Sequence, residues 1–467
     1  DGSGEGDQLT GGGGEGGTYS RELSAAPFFV SLRNRFSGPE RSFGESHDED
    51  GDHEIFGGRF FGVFGCGRNG AGVRDPGEKV LYGLFHGGLP GGVCAGGQQQ
   101  GGVGAEKRAF GFPGTRGGEP AGLPVVRGMA RDAYAKAGVD ITLGNRVKSG
   151  IGAMVRTTRR SGVIGGIGGF GGCFDGKIRG YRHPVLVASI DGVGTKLKVA
   201  QEVGKHGTIG EDLVNHCVND IAALGAEPLF FLDYIGTGKL SPKVFRQILQ
   251  GLVRGCRRSG CALLGGETAQ MPGIYQGEDY DLVGSIVGVV EKGKGTDGRS
   301  IRAGDAILGL PTNGLQTNGY TLARDILFKR AKLRVKGNLP GTSLRLEKLL
   351  LAVHPNYRPA LLQVGKKVKI KGAAHITGGG LIDNPPRIFP QGLGAEIKLG
   401  SWPVPPLFRY LETKGRLGKL EAYRTFNMGI GMIVVVAKGD VAKVKKTVRC
   451  YEIGKIVRGE KRVKLLG

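Results

Sequence analysis

From about residue 185 onwards, apolar positions alternate between short continuous runs and helical spacing. Residues 185–190 form a mostly apolar, partly β-branched run, which predicts a buried strand. Apolar residues then recur at helical spacing over 211–224. Thr208 and Glu211 precede this helix at capping-box spacing, and Gly225 can close it.

The same alternation continues to the end of the chain. Further strands are predicted at 230–232, 261–264, 282–290, 306–310 and 432–436. Helices are predicted from Ser241-Pro242 to Gly260, over 319–329 and over 343–353. Such mixing argues for α/β or α+β layers. The polar, glycine-rich stretch 292–298 predicts a domain boundary near 297, which gives domains at 129–297 and 298–467.

Residues 1–128 differ from the rest of the chain. They hold 36 of the 91 glycines and carry a net charge of −4, against +27 for 129–467. They show no sustained helical or strand period, so we predict a disordered or artefactual low-complexity extension, with an ordinary beginning at Met129. A transit peptide is the alternative, although the acidic run at 45–54 argues against it.

The composition narrows the possible binding partners and the cellular location of the protein. No apolar run reaches the roughly 18 residues that span a bilayer, and the seven cysteines form no CxxC pair. We therefore expect no membrane partner, no cysteine zinc site and no disulfide framework. The basic residues are scattered, which predicts solvated faces and no nucleic-acid partner. A cytoplasmic location is expected, with a plastid or mitochondrion open if 1–128 is a transit segment.

Three acidic clusters are the main candidates for chemistry: Asp191, Asn219-Asp220 and Glu267. Asp191 and Glu267 each follow a predicted strand beside glycines, where carboxylates can hold Mg²⁺ and bare backbone can approach phosphate oxygens. Each has an ordinary alternative: a plain turn for Asp191, a solvated helix face for Asn219-Asp220 and a helix N-cap for Glu267. Three together favour a magnesium–ATP site.

The segment Asp191-Gly-Val-Gly-Thr-Lys196 lacks the spacing of a Walker A loop. Its residues can still handle phosphate: Asp191 as a Mg²⁺ ligand, Thr195 as a hydroxyl donor and Lys196 as a positive charge. Residues 165–172 contain a literal GxGxxG, but no helix is predicted after it, so a dinucleotide site is disfavoured. A glycine hairpin or a flexible loop near the nucleotide remains open.

Two motifs in the second half can also contribute. His375-Ile-Thr-Gly-Gly-Gly380 precedes a predicted helix, and its glycines can present amides to an anion. A packed histidine is the alternative for His375. The stretch 424–432 combines an arginine and an asparagine with glycines, and a strand edge with a tight turn is its alternative.

In combination, these motifs resemble those of the AIR synthetase (phosphoribosylformylglycinamidine cyclo-ligase) family. The resemblance covers roughly 130–457 and is carried by 134–141, 165–174, 190–196, 217–220, 225–234, 265–280, 318–320, 375–384 and 424–432. It implies a PurM-like fold of two α/β (α+β) domains, with the N-terminal ATP-binding domains pairing in a homodimer. It also implies the ring closure of formylglycinamidine ribonucleotide (FGAM) with ATP, giving aminoimidazole ribonucleotide (AIR), ADP and phosphate.

The resemblance assigns roles by motif. The implied metal ligands are Asp191, Asp220 and Glu267, and the implied catalytic residues are Lys196, Asn318 and His375. Implied nucleotide contacts come from Asp140, Gly168, Gly169, Asp191, Gly194, Thr195, Asn219, Asp220, Glu267 and Thr268, and Asn384 lies in a motif facing the substrate cleft.

Two departures stand out from the family pattern. Gln316 stands where many relatives have histidine, and glutamine cannot shuttle a proton at neutral pH. Asp383 stands where a glutamate is common, before a double proline. The alternative hypotheses are therefore a catalytically silent nucleotide-binding subunit, or another ATP-dependent phosphoryl-transfer enzyme of the same superfamily.

Overall fold

The computed structural model describes residues 133–166 and 171–467. The predicted extension 1–128, and with it the transit-peptide alternative, lies outside these residues. All described residues belong to one compact unit of the chain. Within them, no helix is long and apolar enough to cross a membrane.

The described residues form helices and strands in mixed order. The helices are α1 (Ala133–Lys136), α2 (Ile141–Ser149), α3 (Gly152–Arg156), α4 (Lys196–Val203), α5 (Ile209–Ala223), α6 (Pro242–Ser259), α7 (Tyr320–Arg324), α8 (Leu346–Leu350), α9 (Arg358–Gly365), α10 (Gly380–Asp383), α11 (Pro406–Gly415), α12 (Lys419–Thr425) and α13 (Val441–Thr447). The strands are β1 (Val163–Ile164), β2 (Cys173–Phe174), β3 (Pro184–Gly192), β4 (Glu227–Thr237), β5 (Ala262–Gln270), β6 (Tyr280–Glu291), β7 (Ala306–Pro311), β8 (Gly372–His375), β9 (Leu393–Lys398), β10 (Ile430–Val436), β11 (Tyr451–Arg458) and β12 (Val463–Leu466). A π-helical turn, Asp325–Arg330, continues α7.

The first half builds a four-stranded sheet in the order β3-β6-β4-β5. Strand β6 is antiparallel to both its neighbours, and β5 is parallel to β4. Helix α5 packs on one face of this sheet, and α6 packs on α5. The other face is apolar and open: Leu186 is 63% exposed and Ile190 is 68% exposed.

The second half builds a six-stranded sheet in the order β12-β9-β11-β7-β10-β8. Its pairs are antiparallel except for β12 with β9. Strand β10 is buried along its whole length, as expected of a continuous Met-Ile-Val-Val-Val run inside a sheet. The predicted boundary near 297 falls between the last strand of the first sheet and the first strand of the second.

The predicted strands and long helices are confirmed, mostly with longer bounds. Two local predictions are wrong, and a third helix is present with a different type of hydrogen bonding. The capping box at α5 is absent, because Thr208 makes no capping bond and Glu211 instead pairs with Arg254 and Arg258 of α6. The helix predicted over 343–353 shrinks to α8. The helix predicted over 319–329 changes to π-helical hydrogen bonding after Arg324. In each case contacts with other elements override local propensity.

Candidate active site between the two sheets

Helix α5 lies between the two halves of the molecule and is buried along nearly its whole length. Its apolar side packs on the first sheet, and its polar side is covered by the second half of the chain. This polar side carries Asp212, Asn215, His216, Asn219 and Asp220. The solvated-face alternative for Asn219-Asp220 is therefore wrong, since a second domain covers that face.

Asp191 and Asp220 meet at this interface, one from the end of β3 and one from α5. Asp191 Oδ2 lies 2.8 Å from His216 Nε2, and Asp220 Oδ1 lies 2.8 Å from His375 Nδ1. Ser189 Oγ donates to Asp220 Oδ2 at 2.9 Å. Their carboxylates remain 31% and 30% exposed, so both still face solvent.

The partners of Asp220 favour its charged form. Burial alone would raise the pKa of Asp220, but the hydrogen bond and charge of His375, together with His216 and Ser189, outweigh it and lower that pKa. Asp220 is therefore held as a carboxylate, the form that ligates a hard cation.

Three histidine rings pack together behind these carboxylates. The ring centroids of His216, His354 and His375 lie 5.0–5.3 Å apart. His354 Nε2 is 3.0 Å from His375 Nε2, and Thr317 Oγ1 is 2.6 Å from His216 Nδ1 and 3.4 Å from His354 Nδ1. A polar chain thus runs from Asp191 to Asp220 through groups from both domains.

The pKa values of the three imidazoles shift differently because their charged neighbours differ. Burial lowers the pKa of His354 well below its usual value, with nearby His375 adding to the effect. Burial also lowers the pKa of His375, which Asp220 only partly offsets. For His216, Asp191 outweighs burial and raises the pKa. His354 and His375 are thereby kept neutral, and His216 is the imidazole most readily protonated.

Two predicted ligand-binding side chains instead hold the domains together. The Lys196 ammonium is 2.8 Å from Asp212 Oδ2, with both side chains fully buried, and it donates to the carbonyls of Gln316 and Ala352. Asn219 accepts from Tyr357 N and donates to the carbonyl of Pro355. These contacts are structural, so the catalytic role of Lys196 and the nucleotide role of Asn219 stay predictions.

Glu267 lies inside β5, so both the strand-end turn and the helix N-cap expected for it are wrong. Across the sheet, Glu267 lies opposite Tyr234 of β4, and Tyr234 lies opposite Val283 of β6. Asp191 of β3 lies opposite Gly284, the residue that follows Val283 on β6. Neighbouring residues of a strand point to opposite faces. Glu267 and Asp191 therefore occupy opposite faces of the sheet, and a shared metal site with Glu267 stays a prediction.

The remaining predicted residues have diverse positions. Asp140 caps α2 by accepting from Leu143 N at 2.8 Å. Gly194 takes a positive φ of 67° in the turn before α4, and Thr195 Oγ1 lies 3.0 Å from Thr321 Oγ1 of the other domain. Thr268 donates its backbone N–H to Glu267 Oε1. The nucleotide contacts predicted for Asp140, Gly194, Thr195 and Thr268 stay predictions.

The glycine segment 165–172 connects two paired strands, β1 and β2. Residues 167–170 lie outside the described residues, so the hairpin and the flexible loop both stay predictions. Gly168 and Gly169, predicted to contact the nucleotide, lie outside the described residues.

Magnesium and a nucleotide fit the residues present. The exposed carboxylates of Asp191 and Asp220 are hard oxygen donors whose orientation is fixed by histidines. The Asn318 amide Nδ2 is buried without a hydrogen-bond partner, close to Gly378 of the His375 loop. A buried donor of this kind suits an acceptor oxygen supplied by a ligand.

Sequence reasoning overlooked Thr317 and His354, and gave His216 no role. One signal was present, because His216 and Asp220 are four residues apart and so share a helix face. The other partners come from distant segments that only domain docking brings together.

Comparison with known proteins agrees with this architecture. Residues 178–290 match the AIR synthase related protein N-terminal domain, and residues 302–465 match the AIR synthase related protein C-terminal domain. The E. coli HypE crystal structure, at 16% identity and a TM-score of 0.50, covers 68% of this chain and 94% of its own and shares the fold.

Curated relatives are much closer in sequence. A phosphoribosylformylglycinamidine cyclo-ligase from Geobacillus sp. (strain WCH70) is 48% identical over 334 residues, covering 70% of this chain and 96% of the relative. One from Trichlorobacter lovleyi is 50% identical over 311 residues, covering 67% and 89%. One from Bifidobacterium animalis subsp. lactis is 46% identical over 331 residues, covering 70% and 96%. The chain therefore belongs to the AIR synthetase family, the phosphoribosylformylglycinamidine cyclo-ligases.

Proposed function

We propose that this chain closes the imidazole ring of FGAM with ATP, giving AIR, ADP and phosphate. The observation that carries the proposal is the pair of partly solvent-exposed carboxylates, Asp191 and Asp220, beside His375 at the interface of the two domains. Relatives at 46–50% identity that bear the cyclo-ligase name support it.

The proposed roles follow from the contacts. Asp191 and Asp220 would hold Mg²⁺, which supplies charge neutralisation for phosphoryl transfer. His216 and His375 fix the orientation of these carboxylates, as outer-shell partners of metal ligands do. The free Asn318 amide donor would orient an oxygen of the substrate. His375, hydrogen-bonded to Asp220, would hold a proton during ring closure.

We further propose a homodimer formed through the open face of the first sheet. Leu186, Ile190 and Leu232 are exposed there, and a contiguous apolar face of this kind marks an association surface. Sedimentation of Ile190→Glu should show monomers where the parent chain shows dimers, because a charge would be buried at the interface. Leu420→Glu, at an exposed leucine of α12, is the matched control. A monomeric parent chain would contradict the proposal.

Product analysis tests the activity. Purified chain is supplied with FGAM and Mg–ATP, and AIR is followed by its diazotisable amine together with ADP. We expect AIR and ADP in equal amounts, and a loss of at least about a thousandfold in Asp191→Asn, since the metal-binding charge is removed. ADP without AIR would indicate a different acceptor. Neither product, from a chain that still binds ATP, would indicate the silent subunit.

A further inference from the structure

The histidine cluster behind Asp220 has a composition that magnesium–nucleotide binding does not require. His216, Asp220 and His375 each offer one ligand atom, and these atoms all lie within 4.8 Å of one another. His354 Nε2 lies 3.0 Å from His375 Nε2 at the same place. We propose that His216, Asp220 and His375 bind a divalent transition-metal ion of the Zn²⁺ type, with His354 packed beside them.

The chemistry of the donors selects the class of ion. Imidazole nitrogens suit Zn²⁺, Co²⁺, Ni²⁺ and Cu²⁺, whereas Mg²⁺ prefers oxygen ligands. Two imidazoles and one carboxylate, with water as the fourth ligand, are a common tetrahedral set. Ligand atoms around such an ion lie about 3.4 Å apart, so the observed separations need to shrink by at most about 1.4 Å. Side-chain torsions can provide this change.

The nitrogen lone pairs needed for ligation are present. Each neutral imidazole carries one nitrogen lone pair, the group through which histidine ligates a metal. The cluster is nearly dry, since His216, His354 and His375 are all buried. Each histidine ligand would exchange one of its present hydrogen bonds for a bond to the metal, so the buried nitrogens would keep partners.

An outer shell is already built around the predicted ligands. Thr317 Oγ1 contacts His216 Nδ1, and Ser189 Oγ donates to Asp220. Such partners orient ligand side chains in metal sites. The ligands also come from both halves of the chain, His216 and Asp220 from α5 and His375 from the end of β8, so the ion would join the two domains.

One consequence depends on the proposed function. Asp220 would serve both this ion and Mg²⁺, so occupancy by a transition metal should inhibit the cyclo-ligase. The binding itself is measured without FGAM or ATP, and so its failure is distinguishable from failure of the proposed function.

Cobalt titration tests the site in the full chain after removal of metals with a chelator. Tetrahedral Co²⁺ absorbs visible light strongly, so bound metal is counted directly, and Zn²⁺ should displace it. We expect one such ion per chain and a weakening of at least about 100-fold in His216→Gln and His375→Gln. His206→Gln is the matched control, because His206 is a buried histidine bonded to Tyr280 outside the cluster.

The chain carries other histidines and cysteines, so the comparison between variants decides the outcome. Tetrahedral Co²⁺ bound by the parent and lost in His216→Gln, with thermal unfolding unchanged, supports the site. Equal binding by the parent and His216→Gln overturns it, as does the absence of stoichiometric binding in the parent. His375→Gln gives a second measure if His216→Gln fails to fold.

Discussion

Gln316 is the residue at which the sequence predicts a departure from the family pattern, and its side chain is buried in the second domain. Its Nε2 donates to Tyr357 Oη at 3.0 Å, and the residue is fully buried against Gly431. Its backbone takes a positive φ of 64°, a conformation that histidine adopts more readily than most residues. A buried amide in this position packs within the second domain.

Gln316→His should therefore change turnover little. We expect kcat within about threefold of the parent and a loss of roughly 1 kcal/mol in unfolding free energy, from the lost bond to Tyr357. Steady-state kinetics and urea unfolding measure the two effects. A hundredfold rise in kcat would show that this position does contribute acid–base chemistry.

Asp233 is a residue whose ionisation opposes folding. It lies on β4 beside Gly266, where a Cβ would collide with its carboxylate, and burial raises the pKa of Asp233 from 3.8 to about 7. The folded chain thus binds a proton more tightly at this residue than the unfolded chain does. The resulting stability is fully present below pH 4 and is lost as the pH rises to about 7.

Asp233→Asn removes this dependence. The melting temperature of the variant relative to the parent should rise between pH 5 and pH 8, by the equivalent of roughly 2 kcal/mol. Thermal unfolding at several pH values measures it. Glu227→Gln is the control. Glu227 is partly buried, but hydrogen bonds from Arg160 and Tyr181 outweigh that burial and lower its pKa. The stability that ionised Glu227 contributes is therefore lost only at acidic pH. A flat difference for Asp233→Asn would refute the argument.

At the scale of elements, glycines set the distance between α5 and α6. A Cβ on Gly251 would lie 2.9 Å from the backbone of Glu211 and Gly207, and one on Gly255 would lie 2.7 Å from Val214 Cβ. Backbone atoms of a packed helix cannot move aside as a flexible side chain can. These glycines therefore bring α6 against the helix that carries the site.

Gly251→Ala should destabilise the fold despite the better helix propensity of alanine. The propensity gain is about 1 kcal/mol and the overpacking cost is about 3 kcal/mol, so we expect a net loss near 2 kcal/mol. Gly207→Ala is the matched control, since its Cβ would meet open space. Urea unfolding compares them, and equal stability of the two variants would contradict the packing argument.

At the scale of the whole molecule, a buried ion pair links the two domains. Lys196 and Asp212 belong to the first domain, and the carbonyls of Gln316 and Ala352 complete the ammonium's shell from the second. Asp212 also accepts from His354 N at 2.7 Å. Burial raises the pKa of Asp212 to about 6, against the opposing charge of Lys196. The site between the domains depends on this pair keeping its geometry.

Removing one partner should cost more than removing both. Lys196→Met leaves a buried carboxylate and should cost about 3–5 kcal/mol, whereas Lys196→Met with Asp212→Leu should recover much of this loss. Lys198→Met, in an exposed pair with Asp279, should cost at most about 1 kcal/mol. Chemical denaturation ranks the three. A double variant no more stable than Lys196→Met would refute the uncompensated-charge explanation.

The sequence by itself determined the order of strands and helices and the family. Its apolar periods are local, so β3, α5, α6 and β10 could be predicted from neighbouring residues alone. It also singled out Asp191 and Asp220 from their motifs, and their role as metal ligands stays a prediction.

Only the tertiary structure decided which of these residues meet. The alternation of side chains along the strands places Glu267 on the opposite face of the sheet from Asp191. The bulge between Phe231 and Leu232 shifts the register of β4 against β5, the strand that carries Glu267. Docking of the second domain buries the polar side of α5, engages Lys196 and Asn219, and brings His354 and His375 to His216. These contacts join residues far apart in the chain, so no local pattern encodes them.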